Sequence, residues 1–237
     1  SSDLIGTKQI EAEPMTMGEA YERGLLQVGR VPDAEYAKRM GYHVKYADGY
    51  ESWSPAEPFE EAYKLADTSL DRMQIEAEEV NGRYVKLAAF IDSGKMDEVV
   101  NDMYNKCLLE MQCCTMFDYI RLLDTRIQRM QGSDGVKVIK MNFGMAIMAL
   151  KAGFPIRRSG WNGKGLMVFK QVPAHIESDI IPKMQSLPQS AKDLILKGKG
   201  FIDYTSQCLI YNENTGRADS WVPSISDVFA EDWEIVE

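Results

Sequence analysis

Histidine is nearly absent from this chain. Its 237 residues include two, His43 and His175. Neither has sequence neighbours that would build a nucleophile–base pair or a metal-ligand set, so the sequence supplies no catalytic residue and no metal site. Cysteine is sparse as well. Cys107, Cys113, Cys114 and Cys208 show no metal-binding spacing, and the adjacent Cys113-Cys114 pair cannot readily close on itself. The four read as reduced, buried thiols. The phosphate-loop lysine motif and the dinucleotide glycine fingerprint are both missing, and no cofactor is implied. No apolar run reaches the ~20 residues needed to cross a bilayer, and no signal-peptide pattern is present. Positive charge is in deficit: 27 Lys and Arg against 36 Asp and Glu leave a net charge of −9. That field disfavours polymeric nucleic acid and anionic membrane as partners and fits a cytoplasmic protein.

Against this background the basic residues are unevenly placed. Residues 1–140 carry a net charge of −8 and residues 141–237 a net charge of −1. Between Met141 and Gln171 stand five cations (Lys151, Arg157, Arg158, Lys164 and Lys170) and no acid. The densest stretch is Arg157-Arg158-Ser159-Gly160-Trp161-Asn162-Gly163-Lys164-Gly165. Guanidinium groups grip phosphate bidentately, an indole stacks on a base, and glycines let backbone N–H groups approach a ligand. Together they read as a pocket for a small phosphorylated nucleotide. On a strand Arg157 and Arg158 point to opposite faces, so one of the two would meet the ligand. Asn142, at a helix start, could hold a phosphate or hydroxyl. Trp221-Val222-Pro223-Ser224 adds a second aromatic, and Asp227 an acceptor for ribose hydroxyls or an adenine amine. The competing reading makes Trp161, Trp221 and Trp233 core aromatics and the arginines a solvated face. Asp227, Glu231 and Asp232 could bind a metal, but acids at a helix start are commonplace.

The pattern divides the chain into four parts. Residues 1–66 comprise a polar tail or vector-derived remnant (1–16) and a small aromatic-rich module. The module has a short helix around Met17–Leu26, a strand at Tyr42–Tyr46, a turn at Asp48-Gly49 and a helix at Phe59–Lys64. Its aromatics (Tyr42, Tyr46, Tyr50, Trp53, Phe59, Tyr63) read as a miniature core. Residues 67–131 form an antiparallel helical hairpin. Leu70, Met73, Ala77, Val80, Tyr84, Leu87 and Ile91 make one apolar stripe, and a second helix runs from Met96 to Met130. A lone hairpin cannot bury both stripes, so a homo-oligomer or docking on another domain is expected. Residues 132–140 are a linker. Residues 141–237 form an α+β domain with an antiparallel sheet and short helices: helix Phe143–Ala152 capped by Asn142, strands at Pro155–Arg158, Leu166–Val172, Phe201–Tyr204, Cys208–Tyr211, Ala218–Val222 and Trp233–Val236, and short helices near Ala191–Lys197 and Asp227–Ala230. Residues 173–200 otherwise read as irregular. The fold class is α+β.

Residues 141–237 resemble the phage Thoeris anti-defence protein 2 family. The carriers are Met141-Asn142-Phe143-Gly144, Ala149-Leu150-Lys151-Ala152-Gly153, Arg158-Ser159-Gly160-Trp161-Asn162-Gly163-Lys164-Gly165, Trp221-Val222-Pro223-Ser224, Asp227 and Ala230-Glu231-Asp232-Trp233-Glu234-Ile235. The resemblance implies an oligomeric sponge that binds a cyclic ADP-ribose-type signal in a bacterial host cell without cleaving it. On it the ligand-binding set is Asn142, Phe143, Gly144, Arg157, Arg158, Trp161, Asn162, Gly163, Lys164, Trp221, Pro223, Ser224 and Asp227. Residues 70–130 resemble the helical phage anti-CBASS protein 2 family, carried by Leu70-Asp71-Arg72, Lys86–Ile91, Leu108-Leu109, Gln112 and Tyr119 through Ile127. This second resemblance implies capture of cyclic di- and trinucleotides between protomers. It puts Lys86 on a dinucleotide phosphate, lines a trinucleotide site with Arg126 and the Asp92-Ser93 turn, and adds Arg72. Gly41–Lys64 is similar to a small module common in phage proteins and implies no function. The alternatives are a nucleotide hydrolase and a structural phage protein whose helices dock a partner.

Overall fold

A computed structural model describes residues 9–236, and the chain sorts into two units that meet inside one helix, at Glu76 and Ala77. In the first unit, strands β1 (Glu11–Thr16), β2 (Met40–Lys45) and β3 (Glu51–Pro55) form an antiparallel meander in the order β1-β2-β3. Helix α1 (Met17–Glu22) follows β1 directly, started by a capping box in which Thr16 and Glu19 each bond the other's backbone N–H. Met15, Met17, Ala20 and Trp53 bury together, and the Trp53 indole donates to the Met15 carbonyl at 3.0 Å. Gly41 lies flat against that indole: a Cβ here would sit 2.5 Å from the Trp53 ring and 2.3 Å from the Ser54 carbonyl. Helix α2 (Ala56–Ala62) buries Phe59, whose ring stacks on Tyr42 at 4.3 Å and Tyr63 at 5.0 Å.

The expected tail is therefore corrected in its second half. Residues 11–16 are an edge strand paired along its whole length with β2, and residues 1–8 lie outside the described ones. The segment Glu-Ala-Glu-Pro-Met-Thr lacks apolar alternation because residues 11–14 are exposed on both faces of the sheet and only Met15 is buried, and Pro14 is tolerated on an edge. Of the aromatic cluster, Trp53 and Phe59 are buried while Tyr50 is exposed, so the miniature core is built from methionines as much as from rings.

Helix α3 (Ser69–Asp92) starts on a reciprocal pair of bonds between Thr68 and Asp71. Its predicted stripe is the inward face, with Met73 and Ala77 buried. Beyond Gly94, which adopts φ +73°, the expected second helix is interrupted. A short α4 (Lys95–Val99) stops at the β-branched Val99-Val100 pair, and Asp102 caps a new helix, α5 (Met103–Met130). Tyr84 and Phe117 bring α3 and α5 together at 5.6 Å. Met103, Tyr104, Leu108 and Met111 remain exposed on α5. The thiols correct another expectation. All four cysteines are free, but Cys107 and Cys114 are exposed and Cys113 and Cys208 are half-buried.

The C-terminal domain opens with α6 (Phe143–Lys151), capped by Asn142 and ended by Gly153 at φ +92°. Strands β4 (Ile156–Arg158), β5 (Leu166–Lys170), β8 (Cys208–Asn212), β9 (Arg217–Ser220) and β10 (Trp233–Ile235) form one antiparallel sheet ordered β10-β4-β5-β8-β9. Between β5 and β8 the expected strand and helix are present as β7 (Ile202–Tyr204) and α7 (Gln189–Lys197), and within the stretch expected to be irregular β6 (Ala174–Ile176) pairs with β7 as a small two-stranded sheet. β6 escapes pattern reading because Ala-His-Ile after Pro173 carries one β-branched residue, and pairing with β7 defines it. A one-turn helix α8 (Ile225–Val228) precedes β10. The core gathers Met141, Ala146, Ala149, Leu150, Ile156, Val168, Ala230 and Trp233.

Candidate functional site

The C-terminal domain is organised around one indole. Trp233 is fully buried, and three rings approach it: Trp161 at 5.4 Å and Trp221 at 6.1 Å, both edge-on at 79°, and Phe143 at 5.7 Å. Edge-to-face contact places the positive ring edge on a negative face and fixes the plane of each ring. Trp233 is thus the core aromatic of the competing reading. Trp161 and Trp221 pack against this core and are half-buried.

Asp227 ties the motifs together. Its carboxylate accepts from Arg158 Nη1 at 2.9 Å, Trp161 Nε1 at 3.1 Å, and the Ser224 N–H and hydroxyl at 3.0 and 2.8 Å. Burial alone would raise its pKa. The Ser224 N–H, the Arg158 guanidinium, the Ser224 hydroxyl and the Trp161 N–H outweigh burial and bring it down from 3.8 to about 2. Asp232 takes Arg158 Nε at 2.7 Å and the Gly160 N–H at 2.7 Å, and these bonds hold it below the ordinary carboxylate range despite its burial. Arg158 also donates to the Ser226 carbonyl at 3.2 Å. The Arg158–Trp161 turn and the Ser224–Trp233 segment, about seventy residues apart in sequence, are therefore one hydrogen-bonded unit.

The other expected site residues divide by position. Arg157 projects on the opposite side of β4 from Arg158, half-exposed, and pairs with Glu234 of β10. Asn162 and Lys164 are exposed, Gly163 is half-buried, and the Lys164 carbonyl accepts from Asn214 Nδ2 at 2.7 Å, tying this loop to the β8–β9 turn. Gly144 is exposed in the first turn of α6. Pro223 is half-buried beside Trp221. Asn142 caps Met145 N at 3.0 Å, and its amide donates to Asp118 of α5. In the hairpin, Arg72 folds back on the start of its own helix, donating to the Ala66 and Asp67 carbonyls and the Ser69 hydroxyl. Ser93 donates to the Phe90 carbonyl in the turn after α3, while Lys86 and Arg126 are exposed on α3 and α5.

Sequence reasoning missed the structural duty of Asp232 and the involvement of Asp118 and Arg121. Asp232 comes into view only with the sheet register, in which its neighbour Trp233 pairs with Arg158. Asp118 and Arg121 left only an ordinary i,i+3 pair as a signal.

Chemically, this arrangement sets flat rings and cations around a carboxylate. Asp227 stays ionised with its oxygens occupied. The two histidines each lie between carboxylates: His43 with Glu13 and Glu51, His175 with Asp203 and Glu177. Among the described residues no group of three or more His, Cys, Asp or Glu is placed to hold a metal ion, and no helix is long and apolar enough to cross a membrane.

Comparison with known proteins now bears on both halves. Residues 141–236 match the family model described as the Thoeris anti-defense 2-like domain, and residues 67–129 match the model described as Sequestin, the anti-CBASS group. Thoeris anti-defense 2 of Bacillus phage SP01 is 34% identical over 102 residues, which cover 41% of this chain and 96% of that relative.

Proposed function

Because this chain belongs to the Thoeris anti-defense 2-like family, which like the Sequestin family comprises phage anti-defence proteins that sequester signalling molecules, we propose that it is a two-part sponge. Both families are binders of cyclic nucleotide signals rather than enzymes. In this reading the C-terminal domain takes a cyclic ADP-ribose isomer, the hairpin takes cyclic di- and trinucleotides, and neither ligand is cleaved.

The observation that carries the reading is the pair of half-buried tryptophans, Trp161 and Trp221, each held edge-on against the buried Trp233. Rings fixed before binding stack on adenine without a further ordering cost. Stacking contributes ~1–3 kcal/mol per base, and a charge-assisted hydrogen bond to phosphate ~1.5–3 kcal/mol. One stacked base with two such contacts reaches a useful affinity when the site is preformed. Arg158 is committed to Asp227 and Asp232 and serves as framework, and Arg157 pairs with Glu234 on the other side of β4, so the pyrophosphate falls first to the exposed Lys164. Asn142 serves the ribose or base edge, and Asp227 holds Trp161 and Arg158 in place for it. Homo-oligomerisation is supported by Val222, Ile225 and Phe229, each 81% exposed around α8, and by the exposed Met103, Tyr104 and Met111 of α5.

The test incubates the protein with a panel of cyclic ADP-ribose isomers and cyclic di- and trinucleotides, removes unbound material, denatures by heat and identifies what is released by mass spectrometry. Release of intact ligand is expected. A hydrolysed product would favour a nucleotide hydrolase, and an empty release with a co-purified protein would favour a structural partner-docking role.

A further inference from the structure

Residues 132–140 read as a linker, yet the helix before them is fastened to Lys140 and Asn142, and Met141 between these two is fastened to β10. Arg121 of α5 donates to the Lys140 carbonyl at 2.9 Å. Met141 exchanges backbone hydrogen bonds with Trp233 at 2.8 and 3.1 Å. Asn142 donates its amide to Asp118 of α5 while its Oδ1 caps Met145 N. Lys140 has φ +55°, the only positive value at a non-glycine among the described residues, a conformation disfavoured for any residue with a Cβ. It needs the surrounding bonds to persist.

The clamp is itself held in place. The Arg121 guanidinium lies 5.4 Å above the Phe117 ring, which meets Tyr84 of α3 at 5.6 Å, and it also reaches Asp118 at 3.5 Å. Asp118 and Arg121 are each mostly buried, and Ile120 and Leu123 beside them are among the most buried side chains of α5. A contiguous path of packed groups therefore runs from α3 through α5 to the first turn of α6.

We propose that Asp118 and Arg121 are positioning residues of the C-terminal capture site: they fix Lys140–Asn142 and so set how the first turn of α6 is presented to the signal. The inference rests on the capture reading above, because Asn142 matters to a ligand only if that reading holds. Its consequence is that the hairpin and the C-terminal domain are one mechanical unit. Arg126, expected to meet a trinucleotide, lies five residues beyond Arg121 on the same helix, about 7.5 Å along the axis. A ligand that orders this helix also orders the clamp, and linkage makes the effect reciprocal.

The experiment uses the full chain and two readouts. Amide exchange follows the Met145 and Ala146 N–H groups, which bond to the Asn142 side chain and carbonyl. Calorimetry with cyclic ADP-ribose isomers as probes follows capture. In Asp118→Ala, exchange at these amides should rise and the bound isomer should weaken roughly three- to tenfold, the effect of loosening one hydrogen bond. Asp118→Asn keeps an acceptor for the Asn142 amide and should restore both. Arg121→Ala should act in the same direction as Asp118→Ala. Unchanged exchange in Asp118→Ala overturns the clamp whatever the binding result. Raised exchange with unchanged affinity overturns the positioning role. If the unaltered chain takes up no isomer, the capture reading fails and the positioning role with it, while exchange still reports on the clamp by itself.

Discussion

Replacing Asp227 by Asn tests the arrangement that holds the C-terminal site together. The change keeps the shape of the side chain but swaps one acceptor oxygen for a donor and removes the charge. Four donors converge on the native carboxylate, from Arg158, Trp161 and twice from Ser224, and its side chain is 10% exposed. At least one donor would face an NH2 group in the variant, so a loss of ~2–4 kcal/mol is expected at neutral pH. The pH dependence is more specific. A carboxyl lowered from 3.8 to about 2 on folding contributes roughly 2.5 kcal/mol. Because the folded pKa is the lower one, that contribution is complete above pH 3.8 and is lost as pH falls through about 2. Urea titrations followed by tryptophan fluorescence at pH 5 and pH 2 measure it. Asp71, Glu13, Glu19 and Asp232 are also lowered on folding and act in both proteins, so the informative quantity is the stability gap between the unaltered chain and Asp227→Asn. That gap should narrow by about 2 kcal/mol between the two pH values. A gap below ~0.5 kcal/mol at pH 5, the size of an ordinary surface substitution, or one that does not narrow, would refute the account of Asp227 as the tie between the two motifs.

Other outcomes are equally specific. Trp161→Ala and Trp221→Ala should each leave the domain folded by circular dichroism and weaken nucleotide capture by about 1–3 kcal/mol in calorimetry; equal affinity in both variants would remove the stacking role. Gly41→Ala should destabilise the N-terminal meander by ~1–3 kcal/mol, since its Cβ meets backbone and a buried indole, and thermal unfolding followed at Trp53 will show whether it does. His43 is held above its ordinary pKa of 6.5 chiefly by its bond to Glu13, then by Glu51. Its contribution is therefore complete below pH 6.5 and lost as pH rises through the folded value. His43→Gln should flatten the stability of the first unit across that range, and an unchanged profile would show that the bridge to the two carboxylates contributes nothing.

Much of the scaffold was legible from local chemistry. Asn142 and Gly153 bracket α6, and the three- and four-residue apolar steps of α3 mark its inward face, because caps and periodicity act within a few residues. Where contact with a distant segment decided the outcome, local reading fell short. The edge strand at residues 11–16 exists through pairing with β2, β6 through pairing with β7, and the break at residues 100–102 interrupts a helix whose apolar steps run straight through it.

The sequence by itself determined the composition of the site: which rings and cations are present, that histidine is too scarce for a triad, and that positive charge gathers after Met141. These are properties of residue type and order. Only the tertiary structure decided the division of labour among them. Arg157 and Arg158 are identical in chemistry and adjacent in sequence, yet one lies at the surface beside Glu234 and the other is held between Asp227 and Asp232. Among three tryptophans of one domain, only Trp233 is sealed. Such assignments depend on which carboxylates and which ring faces the fold brings to within a few ångströms, and no spacing along the chain encodes that distance.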